Sequence, residues 1–179
     1  MVWSATGAAV LFAEVNENWR TYRARLHRLG ADPEAAMTVY EETEDTGFNV
    51  GVGRTQDRQW LIVSTGDHVT GEIRLLPGAR PDEPPVLVAP RLAGRRYSID
   101  AAHGWLWVLT NDEHVNFRLA RADPAQPDVW KTVIAGSEEV YLRGVTAFAR
   151  HLVLEERVGG LDQIRLRDHD GVEHRIAFL

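Results

Sequence analysis

The sequence contains no cysteine, which excludes disulfides, thiolate nucleophiles and cysteine-ligated zinc and fits a reducing compartment. It has no excess of positive charge either. Twenty Lys and Arg stand against 26 Asp and Glu, for a formal net charge of -6. The cations are scattered rather than gathered into the basic face that a phosphate backbone demands, so a nucleic-acid partner is not expected. No apolar run reaches the length that spans a bilayer, and Met1 to Phe12 lacks the basic start of a secretory signal. The expectation is a soluble cytoplasmic protein without membrane contact. Helical periodicity is nearly missing as well, and only Asp32 to Ala36, around Pro33, can open a short helical turn. What is present is 44% hydrophobic residues in a chain of 179, enough to fill a core.

That apolar content recurs in a pattern. Four β-rich runs, Ala9 to Phe12, Trp60 to Val63, Trp105 to Leu109 and Leu152 to Leu154, are each followed by a polar loop and a second strand-like run. The second runs share a bulky residue, an arginine and a small or aliphatic residue: Tyr22-Arg23-Ala24, Ile73-Arg74-Leu75, Phe117-Arg118-Leu119 and Ile164-Arg165-Leu166. The four arginines recur every 44 to 51 positions. A period of that size with only strands inside it predicts propeller blades rather than a helical solenoid. The predicted fold is all-β, a partial β-propeller of about four blades of four-stranded antiparallel sheets, covering 1–43, 47–91, 95–136 and 138–179 in a single domain.

Each repeat divides into four strands. The inner ones are Val2 to Ser4, Asn49 to Thr55, Tyr97 to Asp100 and Leu142 to Phe148; the outer ones are Met37 to Glu41, Val86 to Ala89, Val129 to Ile134 and His174 to Phe178. In such a meander, the loop from second to third strand and the connection to the next blade emerge at the same end. One face therefore gathers the loops Asn16 to Thr21, Thr65 to Gly71, Asn111 to Asn116 and Glu155 to Leu161. The connectors Glu42 to Phe48, Pro90 to Arg96 and Ala135 to Glu139 join them. Loops on a rigid scaffold are where recognition concentrates.

Several motifs in one order carry a family resemblance: Tyr22 to Gly30 (YRARLHRLG), Val39-Tyr40-Glu41-Glu42, Tyr97-Ser98-Ile99-Asp100 and Leu109-Thr110-Asn111-Asp112. It continues through Asn116-Phe117-Arg118-Leu119, Val153 to Arg157 and Gly160-Leu161. Over nearly its whole length the chain resembles the propeller domain of the prolyl oligopeptidase family of serine peptidases, in its oligopeptidase B (protease II) branch. The resemblance implies a cytosolic peptidase in which a seven-bladed propeller caps an α/β-hydrolase domain, admits only short peptides, and cuts after Arg or Lys. The partners implied are that hydrolase domain and short peptides.

No Gly-x-Ser-x-Gly turn surrounds Ser4, Ser64, Ser98 or Ser137, so no catalytic residue of the family transfers to this chain. Four of seven blades and no hydrolase machinery make a fragment the expectation, whether a truncated product or an excised piece. Two alternatives stay open: a free-standing protein-binding module, and a homodimer closed through the open blade faces. If the resemblance holds, Asp67, His68, Asn111, Asp112 and Asn116 are the residues expected to line the substrate chamber.

The remaining chemistry-bearing groups have plainer readings. Asp168-His169-Asp170 sits in turn-forming sequence, and neighbours on a tight turn rarely converge on one ion, so neither a metal nor a cofactor is expected. Asp112, Glu113 and His114 lack a nucleophile and read as loop polarity. Glu155, Glu156 and Arg157 alternate across a strand and read as salt-bridging groups. The repeated arginines are expected to bridge to a carboxylate or to lie along apolar surface. Trp60, Trp105 and Trp107 read as packing residues, and Glu41 to Asp45 as a solvated acidic loop.

Overall fold

The computed structural model describes residues 1–177; Phe178, where the expected last strand ends, lies outside them. Period-2 apolar alternation produces strands almost throughout. The first sheet has the order β1 (Val2–Trp3), β2 (Ala9–Val15), β3 (Thr21–Arg28) and β4 (Met37–Glu41), and the second β5 (Asn49–Arg54), β6 (Trp60–Gly66), β7 (Gly71–Pro77) and β8 (Val86–Leu87). The third runs through β9 (Tyr97–Ala102), β10 (Trp105–Thr110), β11 (Arg118–Asp123) and β12 (Gln126–Ile134). The fourth comprises β13 (Val140–Ala147), β14 (His151–Val158), β15 (Leu161–Asp168) and β16 (Glu173–Arg175). Among the described residues every strand pairing joins consecutive strands and is antiparallel. The fold is thus the all-β, four-bladed partial propeller that the repeat pattern predicts. The short helical turn at Asp32 to Ala36 is a single 3-10 turn, Pro33–Ala35, with the Asp32 carboxylate accepting from the Glu34 amide.

The chain divides into two compact units, Met1–Gly94 and Arg95–Leu179, each containing two sheets. In the first, Ala9, Leu11, Ala24 and Leu26 of the first sheet pack with Val50, Leu61, Val63 and Leu76 of the second. In the second unit, Trp107, Leu109 and Leu119 of the third sheet pack with Leu142, Ala147, Leu152 and Leu154 of the fourth. Fully buried leucines such as Leu11, Leu61, Leu119 and Leu154 each contribute about 1.5–3 kcal/mol by leaving water. Packing across adjacent sheets is therefore the main stabilising term in each unit.

Turn chemistry fixes where the strands reverse. His103 and Gly104 both have positive φ, 55° and 74°, and link Ala102 to its direct partner Trp105 in a two-residue hairpin. The same device corrects one sequence-based expectation. Glu155 to Leu161 is not a long polar loop: β14 continues to Val158, and Gly159 and Gly160, with φ of 58° and 83°, turn directly into Leu161. Asp168-His169-Asp170 is the tight turn expected, with the Asp168 carboxylate accepting from the amides of Asp170 and Val172. No group of three or more potential metal ligands converges among the described residues. No described helix is long and apolar enough to cross a membrane.

Candidate functional site

Hydrogen bonds place the expected loops at one end of their own blades. In the first blade Arg20 donates from Nη2 to the Gly47 carbonyl at 2.6 Å, joining the β2–β3 loop to the connector that leaves the blade. In the second the Gly94 amide donates to Thr70 Oγ1 at 3.0 Å. In the third Asn116 Nδ2 donates to the Ser137 carbonyl at 2.9 Å. Each loop is thus tied to a connector by a polar contact encoded within one repeat.

Of the five expected lining residues, Asp67 and His68 lie in the β6–β7 loop of the first unit and Asn111, Asp112 and Asn116 in the β10–β11 loop of the second. Asp67 shapes its loop: Oδ1 accepts from the amides of Val69 at 2.8 Å and Thr70 at 2.7 Å, and these bonds hold its carboxyl below the usual range. His68 is exposed beside it. Asn111 Oδ1 accepts from the Arg96 amide at 2.7 Å. Asp112 takes a two-pronged grip from Arg118, whose Nε and Nη2 reach its two oxygens at 2.8 Å each. Partial burial alone would raise the Asp112 carboxyl, but the Arg118 hydrogen bonds and charge outweigh it and hold the group below its ordinary value. Asp112 is therefore committed to an ion pair rather than available as a proton acceptor.

Asn116 has an open side as well. With Glu138, Glu139, Tyr141, Arg157, Val158, Gly159 and Gly160 it lines a cleft of about 620 Å³ within the second unit. The φ > 0 turn at Gly159-Gly160 leaves no side chain over that edge. Tyr141 is steadied by Phe117, whose ring centroid lies 5.9 Å away. The cleft presents two carboxylates, an aromatic ring and a guanidinium that pairs with Asp162 at 2.7 Å. Such a lining suits a polar ligand with a cationic group.

The recurrent arginines all bridge carboxylates. Arg23 pairs with Glu14 at 2.6 Å, Arg74 with Glu72 at 2.6 Å, Arg118 with Asp112 at 2.8 Å and Arg165 with Glu156 at 2.8 Å. Glu156 and Arg157 bridge too, to Arg165 and Asp162. Trp107 is buried, as its packing role requires.

The acidic segment Glu41 to Asp45 is where sequence reasoning missed an organised group. Glu42 is buried, not solvated: its side chain is 2% exposed. It accepts from Arg91 Nη2 at 2.6 Å, Tyr40 Oη at 2.8 Å, Thr65 Oγ1 at 3.1 Å and the amides of Glu44 and Asp45 at 3.0 Å each. Burial alone would push its carboxyl up, but Arg91 and the surrounding donors bring it down to about 2. Arg91 also lies 4.3 Å from the Phe48 ring and 3.4 Å from Glu72. The Tyr40-Glu42 pair was within the quoted motifs; only the distant Arg91 makes it a buried hub.

Four antiparallel meanders, three of them with a loop tied to the following connector, define a segment of a β-propeller. The chain belongs to the prolyl oligopeptidase family: the family's sequence model for "Prolyl oligopeptidase, N-terminal beta-propeller domain" matches residues 1–178. It is 30% identical over 178 residues to "Protease 2" of Moraxella lacunata, covering 99% of this chain and 26% of that protein. It is 32% identical over 176 residues to "Dipeptidyl aminopeptidase BI" of Pseudoxanthomonas mexicana, covering 96% of this chain and 24% of that protein. The structure of oligopeptidase B from Trypanosoma brucei with covalently bound antipain superposes with a TM-score of 0.90 at 25% identity, over 99% of this chain and 26% of that one. The chain spans about a quarter of the length of these relatives, within their propeller domain.

Proposed function

We propose that this chain is the non-catalytic propeller portion of an oligopeptidase B-like serine peptidase that hydrolyses short peptides after Arg or Lys. A hydrolase domain supplies the nucleophile, and the propeller restricts entry by size. The observation that carries this reading is end-to-end similarity in both sequence and backbone: 30% identity to "Protease 2" over 99% of the chain, and a TM-score of 0.90 against oligopeptidase B. The chamber-lining role falls to the β6–β7 and β10–β11 loops. Asp67, Asn111 and Asp112 set loop shape, while His68 and Asn116 face the peptide. A cytoplasmic location belongs to the same reading.

The 32% identity to "Dipeptidyl aminopeptidase BI" supports a second reading, in which the whole protein releases dipeptides from peptide N-termini. Both readings place catalysis outside these 179 residues.

Antibodies against this chain should capture from its native host a polypeptide that a fluorophosphonate probe labels. The captured material should cleave Arg- and Lys-linked peptides of a few residues and leave folded proteins intact. Release of successive dipeptides would favour the second reading. Absence of any serine-directed labelling or cleavage in the captured material would overturn both. Recombinant 1–179 alone should turn over none of these substrates.

A further inference from the structure

A small pocket at the opposite end of the third sheet collects donors that the fold leaves unmet. Arg121 on β11 and Lys131 on β12 are direct cross-strand partners. Like charges placed opposite one another in a sheet repel, so this pairing is unfavourable without something between them. Six arginines of the second unit are paired with carboxylates: Arg118, Arg143, Arg157, Arg165, Arg167 and Arg175. Arg121 has only an aromatic contact, its guanidinium carbon 4.5 Å from the Trp105 ring centroid. None of its guanidinium N–H groups meets an acceptor among the described residues, and Lys131, the one lysine of the chain, has no ion pair among them. The same cross-strand row continues inward to Trp107, whose indole N–H is buried without a hydrogen-bond partner among the described residues.

These groups surround a defined space. Trp105, Arg121, Asp123, Gln126, Val129 and Lys131 line a pocket of about 120 Å³. That is about four times a water molecule's share of liquid volume, room for a compact ion and too little for a nucleotide or a peptide segment. Gln126 adds an amide without a hydrogen bond among the described residues. The one acid present, Asp123, spends Oδ1 on the Ala125 amide at 2.9 Å, closing the β11–β12 turn. Two cations and an amide around a space of this size match a small anion with several acceptor oxygens, since guanidinium forks and ammonium groups are the usual partners of phosphate oxygens. A monocarboxylate offers one charge and two oxygens and uses fewer of these donors.

We infer that the pocket lined by Trp105, Arg121, Gln126 and Lys131 binds a small tetrahedral oxyanion of the phosphate class. The ion sits between the two facing cations and removes their repulsion. The Trp105 face holds Arg121 in place while its N–H edge serves the anion. This site is independent of peptide cleavage.

The single lysine makes the test direct. The rate at which acetic anhydride acetylates Lys131, followed by peptide mass mapping, should fall on addition of inorganic phosphate, and about threefold when phosphate stands at about twice its dissociation constant. Sodium chloride at matched ionic strength should leave the rate nearly unchanged, and acetate should protect less than phosphate. Arg121→Gln should abolish protection, Arg121→Lys should weaken it, and Asp123→Asn should strengthen it. Near-UV circular dichroism would confirm that each variant is folded. Equal protection by chloride would reduce the effect to charge screening and overturn the inference. So would undiminished phosphate protection in folded Arg121→Gln, or Arg121→Lys if the former does not fold.

Discussion

Arg91 Nη2 stands 2.6 Å from Glu42 Oε2, a contact between two residues 49 positions apart that lie in successive inter-blade connectors. Neither segment is regular structure, so this buried ion pair fastens the ends of two neighbouring sheets where no ladder hydrogen bonds can. Its partners Tyr40, Thr65 and Glu72 come from the strands on either side. Removing one member leaves the others desolvated and unmatched.

Glu42→Gln should therefore destabilise the protein at pH 7 by about 3 kcal/mol, the range for breaking a buried, hydrogen-bonded pair. The pH dependence has a defined sign. The Glu42 carboxyl is lowered from 4.5 to about 2 on folding, so its contribution is complete above pH 4.5 and is lost as pH falls toward 2. Urea unfolding at pH 7 and pH 3 should show the gap between wild type and Glu42→Gln narrowing at the lower pH.

Arg118 is 4% exposed and fills both oxygens of Asp112. Arg118→Ala should cost about 3 kcal/mol or more, and Arg118→Lys a smaller but measurable amount, because an ammonium cannot reproduce the fork. Hydrogen exchange should show the Asp112–Asn116 loop opening in both. Asp112→Ala in a full-length relative would then report loop collapse, so a chamber role for this segment is better tested at Asn116.

Trp19 adopts φ 59° while the residue is 86% exposed, so it carries left-handed strain with little packing in return. That conformation costs an L-residue about 1–2 kcal/mol. Trp19→Asn should raise stability by about 0.5–1 kcal/mol in thermal unfolding. Trp19→Ala should leave it close to wild type.

Gly136 packs so tightly that an added methyl would stand 2.3 Å from His114 Cβ and 2.9 Å from the Phe117 carbonyl. Gly136→Ala should destabilise by about 1–3 kcal/mol through overpacking. The third connector should shift with it, seen as faster amide exchange at residues 114–117 and 136–138.

Strand existence was legible because apolar alternation and the repeated arginine are both local signals, and they located all four meanders. The ion pairing of Arg23, Arg74, Arg118 and Arg165 was legible in kind, though not their partners, which range from the same strand to a neighbouring loop. The acidic run at Glu42 was misread because its burial is set by Arg91, and no local pattern records a contact over 49 residues. The polarity of Glu155 to Leu161 suggests a loop, yet the strand continues through its charged residues to Val158. Leu154, Glu156 and Val158 keep the strand alternation, and the Gly159-Gly160 pair was the true turn signal. For the five expected lining residues, sequence could not reveal that the Asp67 and Asp112 carboxylates are already occupied.

The bonds Arg20 to Gly47, Thr70 to Gly94 and Asn116 to Ser137 each close within about one repeat of sequence. A loop and the connector it grips are therefore spelled out in one short stretch of sequence. Each such stretch carries both halves of its own clasp, so a change in one of these three loops is felt first by the connector that follows it.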